Sequence, residues 1–244
     1  MLIRLSFLIL IGVFDIAVAK IPSYIHVCRR NDPKIDQCII DSIEDLKPRL
    51  AKGIPELDIP SLEPMHLPEI AISKGYNFRA SGTDVFVKGA SRFKITNFKA
   101  DIETINYQIG LQIPELRYVA NYDVNMKLLS LVLKGRGPMH ANTTDVEAVA
   151  LLKGHKEQRG DKTHVKFDSL DLKLKWKKYY VKLENLFNGD KTLGEAVNHA
   201  LNENQKEIFD TIKPLAEEVV SEVILEIANK ITKKFTFDEL FPLK

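Results

Sequence analysis

Six histidines are scattered along the chain, at His26, His66, His140, His155, His164 and His199. None has metal-ligand spacing and no HExxH is present, so each reads as an ordinary surface or core residue. Ser91 lies in Gly89-Ala90-Ser91-Arg92-Phe93, which lacks the second glycine of a nucleophile elbow. Gly135-Arg136-Gly137 is followed by Pro138 and lacks the third glycine and the helix of a dinucleotide loop, so it reads as a turn. No catalytic residue, no metal site and no cofactor is expected. The residues left with defined chemistry are two cysteines and one asparagine. Cys28 and Cys38 are the only cysteines, so one pairing exists, and in an oxidising compartment they form a disulfide. Asn142-Thr143-Thr144 is the one glycosylation sequon, which suits a surface turn of a secreted protein.

The compartment follows from the first residues. Arg4, an apolar run to Val18 and small residues at Ala17 and Ala19 describe a signal peptide over residues 1–19. The run is too short for a comfortable membrane span. A single domain over residues 20–244, secreted and extracellular, is expected. Formal net charge is +2, without a basic stripe or a stacking motif, which argues against a nucleic-acid partner. No other stretch is apolar enough to insert stably in a membrane.

The elements that must position any site are a long helix and a set of strands. From Thr192 to Thr232 apolar residues recur with the period of one helical stripe, including Val197, Leu201, Ile208, Ile212, Val219, Val223 and Ile227. Thr192 and Glu195 read as a capping box. Pro214 predicts a kink inside a helix of roughly 60 Å. Near the start, Asp32-Pro33 opens a short helix that Gly53 ends. Prolines at 55, 60, 64 and 68 then predict an extended segment.

From Glu69 to Leu186 the chain alternates. Tyr118, Ala120, Tyr122, Val124 and Met126 form one apolar row, and Leu131 with Leu133 continues it after a phase slip near Leu128, as at a bulge. Val165 and Phe167, then Leu170, Leu172, Leu174 and Trp176, form another. Turn signals lie at Ser81-Gly82, at Gly135 to Pro138, at Gly154 and at Arg159 to Asp161. These are half-buried antiparallel strands with no helix between them, so the long helix must cover their apolar face. The fold class is α+β, a long C-terminal helix wrapped by a curved sheet. An apolar gap between the two is a plausible ligand chamber.

Leu186 to Asn198, Leu201-Asn202-Glu203-Asn204, the ending Leu240 to Lys244, Gly53 to Pro60 with Leu62-Glu63-Pro64, and Tyr122 to Asn125 with Leu131 to Gly137 together resemble the takeout family of insects, relatives of haemolymph juvenile hormone-binding proteins. The resemblance covers essentially the whole mature chain. Two departures are Gln205, where a Trp is expected, and Met126, where Gly is frequent. The resemblance implies a TULIP-like fold with an internal hydrophobic tunnel for a lipid-like ligand. Across the family, circadian, feeding and chemosensory roles are known.

The implied function is a secreted carrier of a small hydrophobic ligand, such as a juvenile-hormone-like terpenoid, a fatty acid or a quinone. The expected lining is Phe93, Ile95, Tyr122, Val124, Met126, Leu131, Leu133 and Trp176 on the strands, with Val197, Leu201, Ile208 and Ile212 on the helix. Tyr122 is the expected polar handle. Plain core packing is the alternative for each. A monomer is expected, and a protein receptor is a further partner to consider. The alternative reading is an interaction protein with a filled core that acts through a receptor or membrane surface. An esterase is disfavoured by the missing nucleophile motif.

Overall fold

The computed structural model describes residues 20–73, 78–128 and 131–244. The expected signal peptide lies outside them. One helix, α1 (Ile35–Lys52), precedes seven antiparallel strands: β1 (Met65–Ser73), β2 (Phe78–Lys88), β3 (Lys94–Asp101), β4 (Asn106–Leu128), β5 (Leu131–Arg159), β6 (Lys162–Lys175) and β7 (Lys178–Leu183). Helices α2 (Lys191–Glu203), α3 (Gln205–Lys234) and the short α4 (Phe237–Leu240) follow. The order across the sheet is β1-β2-β4-β5-β6, with β3 on the first part of β4 and β7 on the first part of β5.

The sheet is built on one long hairpin. β4 and β5 pair without a register shift from Asn106↔Lys153 to Leu128↔Leu131. The phase slip near Leu128 is therefore the tip of a hairpin and not a bulge. Both change the alternation by a residue, and only the pairing tells them apart. Midway along the hairpin the inward face changes sides. On one side Tyr107 and Val146 point to the core, and on the other Ala120, Tyr122 and Leu133 do, although the register is unbroken. The change falls at Pro114 opposite Asp145, which has φ 50°. Trp176 and Lys177 separate β6 from β7 at the same level. We call this level the waist.

Below the waist, β3, β6 and the facing parts of β4 and β5 enclose a core of Ile105, Tyr107, Leu152, Val165, Leu170 and Phe237, with Ile35, Ile39, Ala216 and Leu225 packed on it. Above it, a second core holds Tyr122, Val124, Leu133, Leu186, Leu201 and Ile208. The skip between Phe167 and Leu170 is a true bulge. Gly154 pairs with Phe167 and Lys153 with Ser169, which leaves Asp168 unpaired.

Glycines expected in turns lie inside strands. Gly82 is within β2, Gly154 within β5, and Gly135 and Gly137 are also within β5. A Cβ on Gly137 would stand 2.6 Å from the Glu184 carbonyl oxygen, and one on Gly135 2.9 Å from the Leu186 Cα. The chain leaving β7 crosses β5 there, so the glycines serve a close backbone approach. Only Gly160, with φ 62°, makes the expected turn, between β5 and β6.

Helix boundaries also differ from expectation. α1 begins at Ile35, and the Asp32 carboxylate accepts from the Lys34 N–H just before it. Between α1 and β1, Pro55–Leu57 form a 3-10 turn within the proline-rich segment. α2 is capped by Asp190, which accepts from the Leu193 N–H, and not by Thr192. The long helix breaks at Asn204, whose side chain donates to the Ala200 carbonyl and competes with the helical ladder. α3 runs through Pro214 unbroken. Cys28 and Cys38 are joined, with Cα atoms 6.0 Å apart.

Candidate functional site

Helix side chains stand in for missing strands at the sheet's free edges. On α2, Asn198 accepts from the Leu183 N–H at 2.8 Å and donates to the Leu183 carbonyl at 2.8 Å. Asn202, one turn on, does the same for Val181 at 2.9 and 2.7 Å. On α3, Asn229 holds both backbone groups of Phe167, and Glu217 accepts from the Leu174 N–H at 2.8 Å. On α1, the Asp36 carboxylate accepts from the Ala100 N–H of β3. A free edge leaves unpaired N–H and C=O groups, and these clamps satisfy them and fix each helix in position.

With α3 fixed, its apolar stripe can be followed residue by residue. At the start of the helix, Ile208 is 1 % exposed and belongs to the upper core. Phe209 meets Trp176 edge to face at 4.3 Å. At the far end Ile231 packs on Ile54 and Phe235. Between these ends the stripe is uncovered. Ile212 is 36 %, Val220 37 % and Ile224 40 % exposed. Val219, Val223 and Ile227 on the same side are only half-buried. Within this stretch Ala216 and Leu225 pack on the lower core, Leu225 from the side of the helix that faces β6. A helix face that is covered at both ends and bare in the middle marks a place where something else is meant to lie.

The opposite side of α3 has a different character. A hollow of about 450 Å³ lies between it and β6 beside the clamps, lined by Asp168, Leu170, Asp171, Leu172, Glu217 and Leu225 among others. Its carboxylates, with Glu217 paired to Lys213, Asp168 to His155 and Asp171 to Lys173, suit an apolar ligand poorly because these ion pairs would lose water on burial. The bare apolar stretch is therefore the candidate site.

The expected lining residues separate into groups. Tyr122, Val124, Leu133, Leu201 and Ile208, with Met126 and Val197 against them, are packed together in the upper core. Trp176 packs on the lower core, and its indole N–H is buried without a partner among the described residues. Phe93 lies under the Lys47 ammonium, 4.6 Å from the ring centre, and Ile95 pairs with Leu111, both near α1 and away from the others. Ile212 is the one expected residue on the bare stretch. Leu131 opens β5, and its side chain lies outside the described residues. The Tyr122 hydroxyl donates to the Glu184 carbonyl at 2.6 Å, which uses its single proton. Burial pushes that phenol up to about 12. The donor role expected toward a ligand is already filled by the backbone. Val219, Val220, Val223, Ile224 and Ile227 were visible as stripe residues, but the stripe alone does not say which part of it stays bare.

Among the described residues one group of metal-ligating type comes together, His26 with Cys28 and Cys38. The disulfide removes both thiolates from it. No helix of the described residues is long and apolar enough to cross a membrane.

A family model for haemolymph juvenile hormone binding proteins matches residues 6–242. The chain belongs to that family. The crystal structure of takeout 1 from Epiphyas postvittana superposes with a TM-score of 0.73 at 20 % identity, covering 89 % of this chain and 99 % of that one, which shows the shared fold. The circadian clock-controlled protein daywake of Drosophila melanogaster is 23 % identical over 231 residues, 90 % of this chain and 88 % of that protein. A putative beta-carotene-binding protein of Schistocerca gregaria is 20 % identical over 221 residues, 89 % of this chain and 88 % of that protein. The curved antiparallel sheet with a long C-terminal helix is thus a juvenile hormone binding protein fold, as the motif resemblance implied.

Proposed function

We propose that this chain is a secreted carrier that holds one small, elongated hydrophobic ligand along the bare stretch of α3. The observation that carries the reading is the helix face packed at Ile208 and Ile231, with Ile212, Val220 and Ile224 exposed and Val219, Val223 and Ile227 half-buried between them. Those residues span roughly 22 Å of helix, which suits an extended molecule more than a compact one. Covering apolar surface is worth about 25 cal/mol per Å² removed from water. The ligand classes that fit are a juvenile-hormone-like terpenoid, a fatty acid and a quinone. The naming of the locust relative for putative carotenoid binding and of the family for a hormone supports an apolar cargo. Secretion is supported by the disulfide and by the leader pattern of residues 1–19.

The test is native mass spectrometry of the chain recovered from the medium of expressing cells, followed by organic extraction. A stoichiometric lipid is the expected result. An empty protein that also fails to bind a fluorescent fatty acid would overturn the carrier reading and leave the interaction protein.

A further inference from the structure

The outer face of the sheet above the waist carries apolar groups where the alternation calls for polar ones. Tyr180 on β7 is 53 % exposed and Val119 on β4 46 %. Tyr180 pairs directly with Asn142 of β5, and Asn142 pairs directly with Arg117 of β4. Directly opposed residues share a face, with Cβ atoms about 5 Å apart. Asn142 is the sequon residue, and it sits mid-strand and not in the surface turn expected from its sequence. Thr143 points the other way, its hydroxyl 3.1 Å from that of Tyr118. Asn142 and Thr144 therefore face out together. Arg117, directly opposite Asn142, donates to the Glu115 carboxylate at 2.9 and 3.1 Å.

We propose that Asn142 carries an N-linked glycan whose first sugar lies on the ring of Tyr180. The reaction joins Asn142 Nδ2 to the anomeric carbon of an oligosaccharide carried on a polyprenyl diphosphate. The bond from that carbon to the phosphate oxygen breaks, the polyprenyl diphosphate leaves, and one amide proton is lost. One cross-strand position away, the phenol ring offers a flat, electron-rich face to the C–H groups of a pyranose. The sugar then covers an aromatic group that the fold leaves exposed.

The full chain, residues 1–244, is expressed in mammalian cells and recovered from medium and lysate. Peptide:N-glycosidase is expected to remove one oligosaccharide from the wild type and none from Asn142→Gln. The glycosylated wild type should melt about 2–4 °C above the sugar-free Asn142→Gln chain, which keeps an uncharged amide there, the shift a contact of this kind gives in a chain of this size. Tyr180→Ala should close that gap and Tyr180→Phe should keep it. A chain without sugar at Asn142 in either fraction overturns the proposal. So does an undiminished gap in Tyr180→Ala.

Discussion

Asn198 and Asn202 on α2 hold two residues of β7, and Asn229 on α3 holds one of β6, each accepting from the strand's N–H and donating to its carbonyl. Up to that point the two helices do the same work. They differ in what the apolar side does next. On α2, Leu201 is buried and Val197 packs into the upper core beside Tyr122 and Leu133. On α3 the apolar side is buried at its ends, while Ile212, Val220 and Ile224 between them stay exposed and Ala216 and Leu225 meet the lower core. A helix docked by packing needs its stripe covered. A helix docked by edge clamps can hold its position while the stripe stays bare. The clamps are what allow one face of α3 to be kept for a guest.

The largest expected effect is therefore on the α2 side. Replacing Asn198 and Asn202 together by alanine leaves four backbone groups of β7 without partners, at about 1–3 kcal/mol for each buried group that water cannot reach. Guanidinium unfolding should show a loss of roughly 3–5 kcal/mol. Ligand affinity, measured where the variant is still folded, should stay within a few-fold. A loss of affinity as large as the loss of stability would show that α2 belongs to the site.

The counterpart on α3 is Val220→Asp, an exposed position in the middle of the bare stretch. A carboxylate placed there in the free protein meets water, so the melting temperature should move by only about 1–2 °C, as for an exposed substitution. With an apolar ligand bound it is buried without a partner, and affinity should fall about 100-fold. Fluorescent-lipid titration and thermal melting separate the two quantities. If stability collapses while affinity holds, the middle of α3 is ordinary core and the contrast with α2 disappears.

Most of the fold could be read in the sequence because it rests on local period. The alternation of β4 to β6 and the stripe of α2 and α3 were visible residue by residue. What stayed hidden depends on contacts far along the chain. Gly135 and Gly137 resemble a turn until residues 184–186 are seen to cross them. Asn198 and Asn202 resemble polar positions beside a stripe until the free edge of β7 is placed next to them. Pro214 suggests a kink, and the helix runs on through it, while Asn204 makes an unforeseen break by bonding its own helix. The structure disperses the candidate lining for the same reason. Seven of its twelve residues are packed in or on the upper core. A strand residue facing inward and a strand residue facing a ligand carry the same pattern, and only the sum of neighbours distinguishes them.

Tyr122 sharpens the comparison with a smaller effect, because it sits in the packed upper half and was expected to act in the site. Its hydroxyl ties β4 to Glu184, at the crossing that Gly137 makes possible. Tyr122→Phe should cost about 1 kcal/mol in urea unfolding and leave affinity unchanged for ligands with and without a polar head. Selective weakening of polar-headed ligands would return the tyrosine to the site.

The smallest effect is the alkaline edge of stability. Burial raises the Tyr122 and Tyr179 phenols to about 12 in the folded chain, against an ordinary value of 10.0. A raised folded value means that the folded state holds the proton after the unfolded state has released it. The contribution of each phenol is thus complete below pH 10 and is lost as the pH climbs from about 10 to 12. Tyr122→Phe should flatten that decline without abolishing it, since Tyr179 on β7 and Tyr107 in the lower core are raised by burial as well. The bare stretch of α3 carries no tyrosine, so affinity for an uncharged ligand should stay level up to the pH at which the chain unfolds. An affinity that declines in step with phenol titration, measured by absorbance on the same samples, would place a tyrosine against the ligand and put the site back in the upper half.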